Sequence, residues 1–139
     1  MTVHSQRHIW MRVISLIVIG FGLLTIKEGG AVLFFDGVSR AAAGNYVPFV
    51  LWFNFLAGFF YIIAGVGLWL RRRWSMMLST AIAAATALTF AAFGVFLYFG
   101  GTWELRTLIA MSTRTLVWAG IALAAWRLLA PPVSEVPAQ

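Results

Sequence analysis

The sequence contains no cysteine, which excludes disulfide exchange, thiolate catalysis, cysteine-ligated iron–sulfur clusters and c-type haem attachment. Charge is scarce as well: Asp, Glu, Lys and Arg make up 10% of the 139 residues, against roughly 25% in a soluble domain. The two histidines, His4 and His8, precede the first apolar run, so none is available for bis-histidine haem ligation inside a helix bundle. Their i,i+4 spacing suits a metal on a helix, but a third ligand is lacking and a solvated pair is the plainer reading. A glycine-rich phosphate loop, an HExxH pattern and a nucleophile–base constellation are all missing. These absences leave no catalytic residue, no metal ligand and no cofactor to assign, and they favour a non-enzyme.

What is present is apolar. Hydrophobic residues make up 62% of the chain, and the mean hydropathy is +0.91. In water such a chain would expose far too much apolar surface, so lipid is its natural solvent. Four runs approach or exceed the ~20 residues a helix needs to cross the hydrocarbon core: about 9–26, with continuation to Phe35 as an alternative, then 46–70, 74–99 and 103–129. The expected fold is all-α, an integral membrane four-helix bundle forming one domain over residues 1–130. The Pro-rich tail, 131–139, reads as a disordered cytoplasmic end. A cleavable signal peptide is the alternative for the first run, whose flank carries Arg7 and Arg12. No small-x-small site closes that run, because "TIKEGG" follows directly, and it is kept as a helix.

The formal net charge of +6 does not point to nucleic acid. Arg71, Arg72 and Arg73 form the only basic run and lie between apolar segments, whereas nucleic-acid binding needs a solvated basic face with aromatics interleaved. The arginines read instead as topology signals. With both termini cytoplasmic (N-in/C-in), Arg7, Arg12, Arg71, Arg72, Arg73 and Arg127 lie inside. Lys27, Arg40 and Arg106 lie outside, partly balanced by Glu28, Asp36 and Glu104. Between the first two spans, Gly29-Gly30 is expected to interrupt the helix, and Asp36 can pair with Arg40 at i,i+4. This segment either lies flat at the interface or dips back into the membrane. The two halves show no duplication, which gives an inverted-repeat transporter little support.

In lipid, small and polar residues mark a bundle's interior. Asn54, Gly58, Tyr61 and Gly65 share one helical face, and so do Thr107, Met111, Arg114 and Trp118. The first span adds Ser15, Gly22 and Thr25; the third adds Ser79, Thr86 and Thr89, with Ala81, Ala85 and Ala91 as close-contact surface. Counting from Tyr46, Asn54 lies ~12 Å deep, and counting from Trp103, Arg114 lies ~16 Å deep. A charge at the bilayer centre costs ~2.5–3.5 kcal/mol and calls for a partner. Glu28 is the expected partner of Arg114, with Asn54 as a neutral second contact, while Glu104 and Arg106, nearer the surface, are expected to pair across helices. The cluster Glu28, Asn54, Tyr61, Glu104, Arg106 and Arg114 is then either a polar clamp that fixes helix register or a pocket for an anionic or polar headgroup.

The first helix, "MRVISLIVIGFGLLTIKEGG", has an arginine at its inner end, mid-helix glycines and a lysine at its outer end. With three further spans, it resembles the DoxX-like small four-span proteins of bacterial membranes. That resemblance implies a bacterial inner membrane and, for some members, quinone-coupled oxidation. The function expected is a non-catalytic subunit, or a binder of a lipid-like or anionic small molecule at an outer-leaflet pocket. The alternatives are a subunit of a quinone-linked oxidoreductase and a small transporter or channel. Expected partners are membrane lipids, a membrane-protein partner or second copy, and a quinone or anionic amphiphile.

Overall fold

Four apolar runs become four long helices, and the main departure from expectation lies in the first. In the computed structural model, which describes residues 2–35 and 37–130, the described residues form five α-helices: α1 (Val3–Phe34), α2 (Val38–Ala43), α3 (Pro48–Trp69), α4 (Trp74–Tyr98) and α5 (Leu105–Leu129). All but α2 are long and apolar enough to cross a membrane. Helix α3 begins at Pro48, not Tyr46, because proline at the first helical position loses no intrahelical bond and its ring presets φ. The tail 131–139 lies outside the described residues.

Gly29 and Gly30 do not break α1, which runs unbroken for 32 residues. At ~1.5 Å per residue it is about 48 Å long, well beyond a ~30 Å hydrocarbon core. The glycine at 29 serves packing instead: a Cβ there would stand 3.1 Å from the Phe55 Cβ of α3. The buried residues of α1 are Met11, Ser15, Val18, Gly22, Thr25 and Gly29. Their steps alternate between four and three, the spacing of a coiled-coil seam.

Against that seam α3 sets Phe55, Gly58, Tyr61, Ile62 and Gly65. The small residues face one another, so a Cβ on Gly58 would meet the Gly22 carbonyl oxygen at 3.2 Å and one on Gly65 the Ser15 carbonyl oxygen at 3.2 Å. This is the small-residue contact by which helices associate in lipid, where dispersion replaces the hydrophobic effect. The Ser15 hydroxyl donates to the Gly65 carbonyl at 2.5 Å across the seam. Ser15→Ala is expected to lower stability by about 1 kcal/mol, read as a lower midpoint of unfolding in detergent. An unchanged midpoint would mean that the bond contributes nothing.

The remaining packing is looser. Helix α1 lies most extensively against α3, α4 packs next most extensively on α5, α3 meets α4 less, and α5 touches α1 only lightly. Ser79 and Thr86 of α4 are buried as the spacing predicts, but Ala81 and Ala91 are exposed and do not form a close-contact surface. Both tight turns end their helices the same way. After α3, Arg72 N–H bonds the Gly67 carbonyl and Arg71 N–H the Leu68 carbonyl. After α4, Gly101 and Gly100 bond Phe96 and Leu97 in the same manner. This cap needs one residue in the left-handed region, Gly100 at φ +82° and, without glycine's freedom, Arg71 at φ +54°. The Arg71 guanidinium lies 2.9 Å from the His8 ring nitrogen Nε2, and Arg12 stacks over Trp69 at 5.6 Å. These contacts tie the start of α1 to the α3–α4 turn.

Candidate functional site

At the opposite end, residues 35–47 connect α1 to α3 and are held by side chains reaching for free carbonyls. Arg40 donates through Nε to the Val32 carbonyl (3.2 Å) and through Nη2 to the Leu33 carbonyl (3.3 Å), covering the last turn of α1. A cation there suits the negative end of the helix dipole. The expected Asp36–Arg40 pairing lies outside the described residues, because it involves Asp36. Arg106, at the start of α5, donates to the Ala42 carbonyl at 3.2 Å. Glu104 Oε1 accepts the Asn45 backbone N–H at 3.1 Å.

Glu104 and Arg106 thus reach across from the head of α5, to backbone groups and not to charged side chains. Each fastens a different point of the α2 segment, which offers unsatisfied backbone groups at short range. Gly44 sits between them at φ +62°, and a Cβ there would come within 2.7 Å of Glu104 Oε1. Conformation and space both call for glycine at this position.

Beneath α2 lies a cavity of about 310 Å³. Its polar lining includes Thr25 and Glu28 from α1, Asn54 from α3, and Arg106, Thr107 and Arg114 from α5. Val38, Ser39, Ala42 and Ala43 of the α2 segment form one wall, and Val47, Val50 and Leu51 give an apolar side. Four of the six residues expected to cluster thus line one cavity: Glu28, Asn54, Arg106 and Arg114. Tyr61 lies below it, fully buried, and Glu104 stands outside it in its bond to Asn45.

Below the cavity lining, the packing around Arg114 is aromatic. The Arg114 guanidinium carbon lies 5.7 Å from the Phe21 ring centroid. Phe21 stacks on Tyr61 at 5.7 Å and 6°, and Tyr61 meets Trp118 at 4.6 Å. A cation over a desolvated aromatic face gains about 2 kcal/mol. Among the described residues, no salt bridge joins Arg114 to Glu28 or to any other carboxylate. Arg114 Nε is buried without a hydrogen-bond partner, as is Asn54 Oδ1. The Asn54 amide donates to the Met111 sulfur at 3.7 Å, not to Arg114. The expected Arg114–Glu28 pair is replaced by a shared cavity. Glu28 is exposed at its edge, and the guanidinium lies on the Phe21 ring.

The inward faces of α3 and α5 match the sequence expectation. Tyr61, Gly58 and Gly65 are buried, and so are Met111 and Trp118. Further buried polar atoms extend below the cavity: Thr25 Oγ1 and Ser79 Oγ stand without partners, while the Tyr61 hydroxyl lies among Arg114, Thr86 and Trp118. Sequence reasoning missed the α2 wall and Phe21. The i,i+4 relation of Asp36 and Arg40 was a signal for a helix at α2, whereas nothing in the local pattern singles out Phe21 from the other apolar residues of α1. Among the described residues, no three His, Cys, Asp or Glu side chains gather closely enough to hold a metal.

Comparison with protein-family models, with curated proteins and with solved structures finds no match to this chain.

Proposed function

We propose that the chain is a multi-pass protein of the bacterial inner membrane, with both termini cytoplasmic, that binds the anionic headgroup of a lipid-like molecule without catalysing its conversion. The topology is supported by arginine placement. Arg7, Arg12, Arg71, Arg72, Arg73 and Arg127 gather at the end bearing the termini, the pattern of a cytoplasmic face. The cavity then opens toward the outer leaflet. The observation that carries the binding reading is Arg114, a half-buried guanidinium that lines the cavity with Nε unpartnered and no salt bridge among the described residues. Intramembrane charge of this kind marks ligand and ion sites.

Reporter fusions after Arg73 and at the C-terminus should both give cytoplasmic signals, and a periplasmic signal at either one reverses the orientation. For binding, protein in a neutral detergent is titrated with a fluorescent fatty acid and with its uncharged methyl ester. The acid should bind at least about tenfold more tightly, the order expected for one charge-assisted contact; equal affinity refutes an anion site. A transport reading draws on the buried polar side chains of Tyr61, Thr86, Ser79 and Trp118 below the cavity. It requires ligand flux in proteoliposomes, which binding alone does not.

A further inference from the structure

Resting on that reading, we infer that the cavity takes a zwitterionic headgroup, an anionic group and a primary ammonium a few atoms apart, as in phosphoethanolamine. Its charged lining is Glu28 on α1 facing Arg106 and Arg114 on α5. Both signs are present, and no salt bridge joins them among the described residues. A simple anion seated at the arginines would leave the Glu28 carboxylate facing like charge. A zwitterion satisfies both sides, its anion at Arg114 and its ammonium at Glu28, so the cavity selects it by attraction at one end and repulsion of competitors at the other.

The nature of the cation also follows from the lining. Quaternary ammonium groups are held in cages of several aromatic faces, whereas Tyr46 is the one aromatic among the cavity-lining residues. A carboxylate with free lone pairs suits a primary ammonium and its three N–H donors instead. Size agrees. At about 310 Å³ the cavity sits at the small end of ligand sites, roughly 300–1,000 Å³. It holds a headgroup, with the acyl chains left outside in the surrounding lipid.

The test measures binding of four probes to the full chain in neutral detergent by calorimetry: dioctanoyl lipids with phosphoethanolamine, phosphocholine or bare phosphate headgroups, and free phosphoethanolamine. The phosphoethanolamine lipid should bind about tenfold or more tightly than the other two lipids. Glu28→Gln should erase that preference while keeping phosphate binding, and because Glu28 is exposed and unpaired among the described residues the variant should fold. Arg106→Gln, at the rim, should weaken all the lipids together. If free phosphoethanolamine binds as well as its lipid, the ligand is a soluble zwitterion; if only the lipid binds, it is the headgroup of a membrane lipid. Both outcomes support the inferred chemistry. Equal or tighter binding of the bare phosphate lipid overturns the zwitterion and leaves the anion site standing. No headgroup binding that responds to Arg106 or Arg114 overturns both.

Discussion

Gly22→Leu should abolish the folded bundle, while Gly20→Leu, two residues away on the same helix, should leave it unchanged. A Cβ on Gly22 would stand 2.9 Å from the Gly58 carbonyl oxygen and 3.1 Å from Tyr61 Cβ. The first is backbone and cannot turn aside, so the helices must part. A Cβ on Gly20 meets nothing within 4 Å. Overpacking typically costs 1–3 kcal/mol. At Gly22 the cost should reach about 3 kcal/mol, because separating α1 from α3 also forfeits the dispersion contacts and the Ser15–Gly65 bond along the seam. Yield of monodisperse protein and the unfolding midpoint in detergent measure the difference. Equal loss in both variants would show that added bulk on α1, not the seam, is what the bundle rejects.

The second large effect is a separation of binding from stability at Arg114. Arg114→Met is expected to reduce anionic-probe affinity by at least about tenfold while leaving the unfolding midpoint unchanged or higher. The sign follows from the missing ion pair. The guanidinium carries an insertion cost of ~2.5–3.5 kcal/mol, and contact with Phe21 recovers only part of it, about 0.5–2 kcal/mol. Methionine avoids that cost and still covers the ring. A register clamp gives the opposite result, because breaking a buried pair leaves its partner charged and alone, at ~3–5 kcal/mol in soluble proteins. Loss of folded protein in Arg114→Met, with parallel loss in Glu28→Gln, would establish the clamp and remove the basis for a binding site.

Much of this architecture was legible in the amino-acid order. Hydropathy located the three later spans to within two residues at each end, since charged or turn-forming residues bound them. The interior faces of α3 and α5 could be read because polar residues at helical spacing have few other places to go in lipid. The run through Gly29 and Gly30 was open in the sequence, where apolar residues continue to Phe35 but two glycines signal a break. Glycine breaks helices in water, but in an apolar medium the backbone keeps its bonds and the missing side chain becomes a packing asset. The partners of Glu104 and Arg106 could not be read. Their charge suggested pairing across helices, yet the groups they meet there are a backbone N–H at Asn45 and a carbonyl at Ala42. Those groups become visible only once the chain between α1 and α3 is folded.

The unequal seams of the bundle have a mechanical consequence. Helices α1 and α3 interlock through glycines, whereas α5 barely touches α1, so the molecule is a stiff hairpin leaning against a second one. Glu28 and Asn54 ride on the first hairpin, Arg106 and Arg114 on the second. A molecule that grips both sides acts as a bolt across the weaker joint. By linkage, whatever it gains by bridging the hairpins it returns as resistance to their parting, by RT ln(1 + [L]/Kd). Occupancy should therefore be readable far from the cavity, as slowed amide exchange along α5 where that hairpin faces α1.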